Sequence, residues 1–293
     1  MQLLTTSEAA DYLRLKERKL YELVAEGAIP CTKVTGRWLF PKLELDRWLA
    51  ASLVRPAGVP AAEPMPIVGG SQDPLLEWAL RESGCGLASL PEGSERGLER
   101  LREGEVVAAA IHLHAREDGD GEANIAAVQH SARLHDAVII AFAKREQGLV
   151  VAAGNPRKLT SLVDVVKRRA RLALRPKGAG AQLLLLALLQ QSDIDIDAIE
   201  AGPTCPTGPD VAQAVKAGRA DCGIAPRSVA NAAGLDFVPL IWEHVDLVMR
   251  QRDHFRPPLQ TLLAFLRSAA LSARAHELGG YDVSAAGQVR FAP

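Results

Sequence analysis

The chain has 293 residues, 48% of them hydrophobic and 24% charged, with 34 Lys and Arg against 35 Asp and Glu. This length allows two domains and a sizeable core, and the composition excludes a disordered, collagen-like or coiled-coil chain. A net charge of -1 provides no global positive field for nucleic acid or an anionic membrane, so any nucleic-acid site must be local.

At the start, Thr5 followed by Glu8 forms a capping box that opens a first helix, with Ala9 and Leu13 on one face. Glu8 and Asp11 come before any long apolar stretch and no basic segment precedes them, so no secretory signal is expected and the protein is placed in the cytoplasm. A second helix is predicted from about Glu17 to Glu26, stopped by Gly27 and separated from the first only by the turn at Arg14 to Lys16. Two helices this closely joined make a helix-turn-helix. Cys31 to Phe40 alternates around Thr35-Gly36 as a hairpin, and Leu45, Trp48 and Leu49 give a third helix its buried stripe. These elements define a small head, residues 1–51, basic only in patches. A connector follows at residues 52–66, rich in proline and without hydrophobic period.

From residue 67 to 293 short apolar strands alternate with amphipathic helices. Strands are predicted at Ile67-Val68, Val106 to His114, Ala137 to Ala143, Leu149 to Ala152 and Ala170 to Leu174, and helices at Pro74 to Arg81 and Gln182 to Gln190. That alternation is an α/β fold with a mainly parallel sheet. The longest apolar runs, Ala137 to Ala143 and Leu183 to Leu189, are far shorter than the ~20 residues needed to cross a bilayer. No membrane partner is expected, and the leucine run is read as core because it is apolar all round.

Four cysteines, Cys31, Cys85, Cys205 and Cys222, lack CxxC or zinc spacing and are read as free thiols. His112 and His114 alternate on one predicted strand face, but no carboxylate or Cys lies at ligand spacing. They are therefore read as cleft or core residues, with no metal and no cofactor. Arg145, Glu146 and Lys177 carry acid-base groups, yet no nucleophile is paired with a base, so no enzyme is expected. The stretch ARLALRPKGAGAQLLLLALLQ reads as strand, glycine loop and helix. It lacks the third glycine of a dinucleotide fingerprint and the Lys-Ser/Thr pair of a P-loop. Two readings stay open for it: backbone N–H groups offered to an anion or polar head, or a tight connection that needs glycine for geometry alone.

The head resembles a known family. LLTTSEAADYL, KLYELVAEGAIP and GRWLFPKLELDRWL are similar, in register, to the excisionase/MerR-type winged helix-turn-helix. The resemblance implies double-stranded DNA as partner. Lys16, Arg18, Lys19 and Tyr21 at the start of the second helix would meet the major groove, and Lys33 and Arg37 at the hairpin tip would reach backbone phosphates. Lys16 stands where the family usually carries a small capping hydroxyl. So small a head is expected to act as a homodimer on two half-sites.

The larger part resembles the periplasmic-binding-protein-like domain related to molybdate-binding proteins, in the branch fused to helix-turn-helix heads. The blocks REQGL, GNP, GRADCGI and GLDFVPL occur in family order. This implies a type II fold of two lobes, residues 67–145 plus 241–293 and residues 146–240, joined by a two-stranded hinge around a ligand cleft. The cleft positions carried over are Ser71, Asp73, Ser94, Arg145, Arg175, Gly178, Ala179, Gly180, Ala181, Gln182 and Thr207, and His112, read above as a cleft or core residue, is counted with them as a ligand-site candidate. Where the family reads G-S-G-T-R this chain has Gly178-Ala179-Gly180-Ala181-Gln182, a Thr-His pair becomes Thr207-Gly208, and a Tyr becomes Val245. The pocket is thus expected to be less polar than the family pattern. It would favour a partly apolar organic ligand with one anionic or polar end over the oxyanions molybdate or tungstate. The expected whole is a one-component transcriptional regulator whose operator binding responds to a small molecule. The alternative is a solute-binding or enzymatic protein whose head only docks it to DNA or a partner.

Overall fold

The computed structural model describes residues 2–34, 36–52, 63–114, 122–131 and 133–293. The chain divides into two units, Met1–Val59 and Pro60–Pro293. Most of the predicted connector, residues 53–62, lies outside the described residues. Its last two residues, Met65 and Pro66, are not connector but the start of a strand.

In the first unit the order is β1 (Leu3–Leu4), α1 (Thr6–Leu13), α2 (Glu17–Ala25), β2 (Thr32–Val34), β3 (Arg37–Pro41) and α3 (Lys42–Ala51), with a sheet ordered β1-β3-β2. The capping box is present: Glu8 N–H donates to Thr5 Oγ1 and Thr5 N–H donates to the Glu8 carboxylate at 2.8 Å. Helix α1 ends at Arg14, whose left-handed φ of 56° turns the chain into α2 within three residues. Lys16 caps α2 with no side-chain hydrogen bond, so the helix entry lacks the usual hydroxyl. Leu4, Ala9, Leu20, Ile29, Phe40 and Leu45 close a small core. One expectation is corrected here. Leu49 points outward at 39% exposure, and α3 is instead anchored by Leu45 and by Trp48, whose indole N–H donates to Ala28 O at 2.8 Å.

The second unit continues with β4 (Met65–Gly70), α4 (Pro74–Glu82), β5 (Ala88–Pro91), α5 (Ser94–Glu103), β6 (Val106–Ile111), α6 (Glu122–Gln129), β7 (Ala137–Val151), α7 (Leu162–Lys167), β8 (Leu172–Leu174) and α8 (Gly180–Gln191). Then come β9 (Ala201–Thr204), α9 (Gly208–Lys216), β10 (Cys222–Pro226), α10 (Arg227–Ala233), β11 (Asp236–Arg250), α11 (Gln251–His254), α12 (Pro257–Leu266), α13 (Ala269–Leu278), β12 (Tyr281–Asp282) and β13 (Val289–Phe291). Among the described residues, ten strands form one sheet, ordered β5-β4-β6-β11-β7-β10-β8-β9, with β12 and β13 also paired to β7. β5, β4 and β6 run parallel, as do β10, β8 and β9, while β7 and β11 run antiparallel to each other and to their other neighbours. The sheet is therefore mixed rather than mainly parallel.

The two strands expected at Ala137 to Ala143 and Leu149 to Ala152 are a single strand of 15 residues. It continues through Lys144 to Gln147 because Arg145 and Gln147 point inward and are buried, while Lys144 and Glu146 alternate outward. β11 is equally long and pairs with it from Asp236↔Val151 to Arg250↔Ala137. Apolar residues gather at both ends of this pair. Val68, Leu75, Phe142, Leu247 and Leu262 pack at one end, and Leu149, Leu172, Leu184, Leu185 and Ile224 at the other. Helix α8 is not buried all round, since Leu186 is 43% exposed. All four cysteines are unpaired, and among the described residues no helix is long and apolar enough to cross a membrane.

Candidate functional site

The C-terminal ends of β4, β6, β8 and β9 open onto one cavity of about 240 Å³, which the residues following those ends, Ser71, His112, Arg175 and Thr207, help to line. Ligands of open α/β sheets bind at this edge of the strands. Close backbone contact builds the walls. Gly97 of α5 packs against Gly70, itself at φ +103°, and a side chain at either would overlap backbone. That approach brings Ser94 Oγ to 2.7 Å from Ser71 Oγ and within 3.1 Å of His112 N, which donates to it. Gly180, the first residue of α8, lies against the His112 ring so closely that a Cβ there would overlap it.

A buried ion cluster forms the floor. Arg145, 1% exposed, donates from Nε to Glu243 at 2.6 Å and from Nη1 to Asp73 at 2.8 Å. His114 Nε2 lies 2.8 Å from the other Glu243 oxygen, and Gln147 Nε2 donates to Glu243 Oε1 at 2.8 Å. Tyr281 donates its phenol proton to Asp73 at 2.9 Å. Burial alone would raise the Glu243 carboxyl, but Arg145 and the His114 hydrogen bond outweigh it and hold the group well below the usual carboxylate range. Burial pushes the His112 imidazole down to about 3, so this ring is neutral.

Arg175 differs from Arg145. It donates to the carbonyls of Cys205 at 2.9 Å and Pro206 at 2.8 Å, and it has no carboxylate partner among the described residues. Burial, with the nearby charge of Arg145, lowers its guanidinium to about 10, which leaves it charged at neutral pH. Helix α8 opens beside it, and its N-cap, Ala179, offers no side-chain cap, so the positive end of a helix of 12 residues faces the cavity. Among the described residues no cluster of three or more His, Cys, Asp or Glu is arranged to hold a metal ion.

Of the predicted ligand residues, Ser71, His112, Arg145, Arg175, Ala179, Gly180, Ala181 and Thr207 line the cavity, whereas Asp73, Ser94, Gly178 and Gln182 do not. Each of the last four has structural work behind the wall. Asp73 caps α4 through the N–H groups of Leu75 and Leu76 and pairs with Arg145. Ser94 ties β6 to Ser71, and Gly178 packs on Glu95. Gln182 Oε1 accepts from Arg175 N at 3.0 Å. The Thr207 hydroxyl, although at the cavity, is occupied in a capping box with Asp210. His112 and His114 follow β6 rather than alternate along it. The sequence reading missed Gln147, Glu243, Gly93 and Tyr281. The signal for Glu243 was its period: it shares an inward face with Val245 and Leu247, and a carboxylate at such a position requires a buried partner.

In the first unit Lys16, Arg18, Lys19, Lys33 and Arg37 are exposed, and Tyr21 is half-exposed. Arg18 and Lys19 pair loosely with Glu22 at 3.4 and 3.2 Å, and Lys33 lies over the Trp38 ring at 5.2 Å. All of these are surface contacts that a stronger anion can displace.

A helix-turn-helix joined in one chain to a cleft-bearing mixed sheet defines a two-module binding protein. The chain belongs to the PBP superfamily, whose domain matches residues 77–267, and a helix-turn-helix domain matches residues 3–52. An uncharacterized protein of Bacillus subtilis (strain 168), YvgK, is 25% identical over 97% of this chain and 96% of its own length. A Clostridium pasteurianum protein described from the 5′ region of a 2Fe-2S ferredoxin gene is 31% identical over 27% of this chain and 71% of its own. In fold, the chain is similar to a hydrogen-peroxide-bound OxyR mutant of Corynebacterium glutamicum, with TM-score 0.52, 16% identity and coverage of 93% of this chain and 91% of that one. It is also similar to a phosphate-bound putative phosphate-transport binding protein of Clostridium perfringens, with TM-score 0.54, 12% identity and coverage of 72% and 96%.

Proposed function

We propose that the protein is a one-component regulator. Its head binds operator DNA through Lys16 at the N-cap of α2, Arg18, Lys19 and Tyr21 on α2, and Lys33 and Arg37 on the wing, and its body closes two lobes, residues 67–145 plus 241–293 and residues 146–240, on a small anionic ligand. A homodimer would place two heads on an inverted repeat. A coupling of about 1 to 3 kcal/mol between the sites changes operator affinity several-fold to about a hundredfold, which is enough for a switch.

The observation that carries this reading is Arg175. A charged guanidinium without a carboxylate partner among the described residues, beside an uncapped helix start in a cavity, lacks a counter-ion that an anionic ligand supplies. The test is fluorescence anisotropy of the full chain on a fragment of its own promoter, with and without candidate anions such as phosphate, molybdate and malate. Arg18→Ala with Arg37→Ala is expected to weaken DNA binding and to lower the salt slope by about one for each phosphate no longer neutralised. Arg175→Met is expected to keep DNA binding and abolish the anion response. Promoter binding unchanged in the head variant, or an anion response intact in Arg175→Met, overturns the reading.

A further inference from the structure

Three buried polar atoms of the cleft residues have no hydrogen-bond partner among the described residues: Gln147 Oε1 and both ring nitrogens of His112. Gln147 is 1% exposed and His112 6%, and both line the cavity. The orientation of the Gln147 amide is not free. Glu243 is ionised and can only accept, so the amide nitrogen must face it, and it does so at 2.8 Å. Gln147 Oε1 is thereby fixed as an acceptor and nothing else. His112, being neutral, carries one acceptor and one donor, but its Nε2 is packed against Gly180, so the acceptor that matters is Gln147 Oε1. The fixed donors of the cavity are Arg175 and the start of α8, a donor wall against which the His112 ring packs through Gly180. An ion that only accepts hydrogen bonds satisfies the donor wall and leaves the Gln147 side unpaired, which is costly in a closed site.

Building on the reading of this cleft as an anion site, we infer that its ligand is a small anion that brings a hydrogen-bond donor of its own. The hydroxyl of a hydroxy acid or the proton of hydrogen phosphate would serve, with Gln147 Oε1 as the acceptor that selects it. Fully deprotonated oxyanions such as sulfate and molybdate are the rejected class.

Calorimetric titration of the full chain with matched pairs tests this. Phosphate and sulfate, compared at a pH where both carry two charges, share a shape and differ by one O–H; malate and succinate differ by one hydroxyl. The donor-bearing member of a pair is expected to bind at least about tenfold more tightly, and the pair that shows this names the source of the donor. Gln147→Met, with folding checked by circular dichroism, is expected to bring that ratio close to one by weakening the donor-bearing member alone. Equal affinities within both pairs, or an unchanged ratio in folded Gln147→Met, overturn the inference. If binding still disappears in Arg175→Met, the anion reading itself survives that result. Absence of binding by all four probes, or binding indifferent to Arg175→Met, overturns the anion reading and this inference with it.

Discussion

The two units handle charge in opposite ways. In the head, Arg18 is 92% exposed and shares Glu22 with Lys19, so its charge stays available to whatever approaches. In the body, Arg145 is held by two carboxylates with almost no exposure, so its charge serves to fix position. A surface cation can change partners at little cost, whereas a buried one fixes the geometry around it. The same residue type therefore makes a contact surface in one unit and a scaffold in the other.

The largest expected effect tests the scaffold. Arg145→Met leaves Asp73 and Glu243 buried without their cation and should cost about 3 to 5 kcal/mol in urea unfolding; a smaller destabilisation than Arg18→Ala produces would erase the contrast. Next comes the pH dependence. Burial raises Asp246 to about 6, despite Arg290 and Asn124 beside it. The folded chain thus holds this proton more tightly than the unfolded chain. The stability it contributes is full below about pH 4 and is lost as pH rises through about 6. Asp246→Asn should flatten that decline by roughly 2 to 3 kcal/mol. Glu243 runs the other way: its contribution is present above about pH 4 and is lost on further acidification. Gly180→Ala should cost about 1 to 3 kcal/mol by pushing Cβ into the His112 ring. The smallest effect belongs to the head, where Thr5→Ala removes a cap worth about 1 kcal/mol, read as a lower thermal midpoint of its transition.

The head was legible because its signals are local. The capping box, the Gly27 stop and the hairpin turn each span a few residues; what escaped was β1, whose pairing partner β3 lies far along the chain, and the outward turn of Leu49. In the body it was the resemblance to the periplasmic-binding-protein-like domain, not a local pattern, that put Ser71, Arg175 and the glycine loop at the cleft, and the structure has Ser71, Arg175, Ala179, Gly180 and Ala181 on its lining. The body was obscure where a strand carries charge. Lys144 to Gln147 looked like a break in an apolar run, because the Glu243 that completes Arg145 is 98 residues away. The same resemblance placed Asp73, Ser94 and Gln182 at the cleft, but each is engaged by a backbone or side-chain neighbour one layer behind it.

The insertion of β11 between β6 and β7 also bears on how the molecule is made. On the ribosome, β6 and β7 emerge first and cannot complete the sheet with each other, because the strand that separates them is synthesised only after residue 235. Until then each keeps an open edge able to pair with another nascent chain. Temperature or crowding during translation should therefore affect yield more than the finished protein's stability would suggest, and folding should be slow, since the two halves of its sheet, β5-β4-β6 and β7-β10-β8-β9, are joined only by this late, distant pairing.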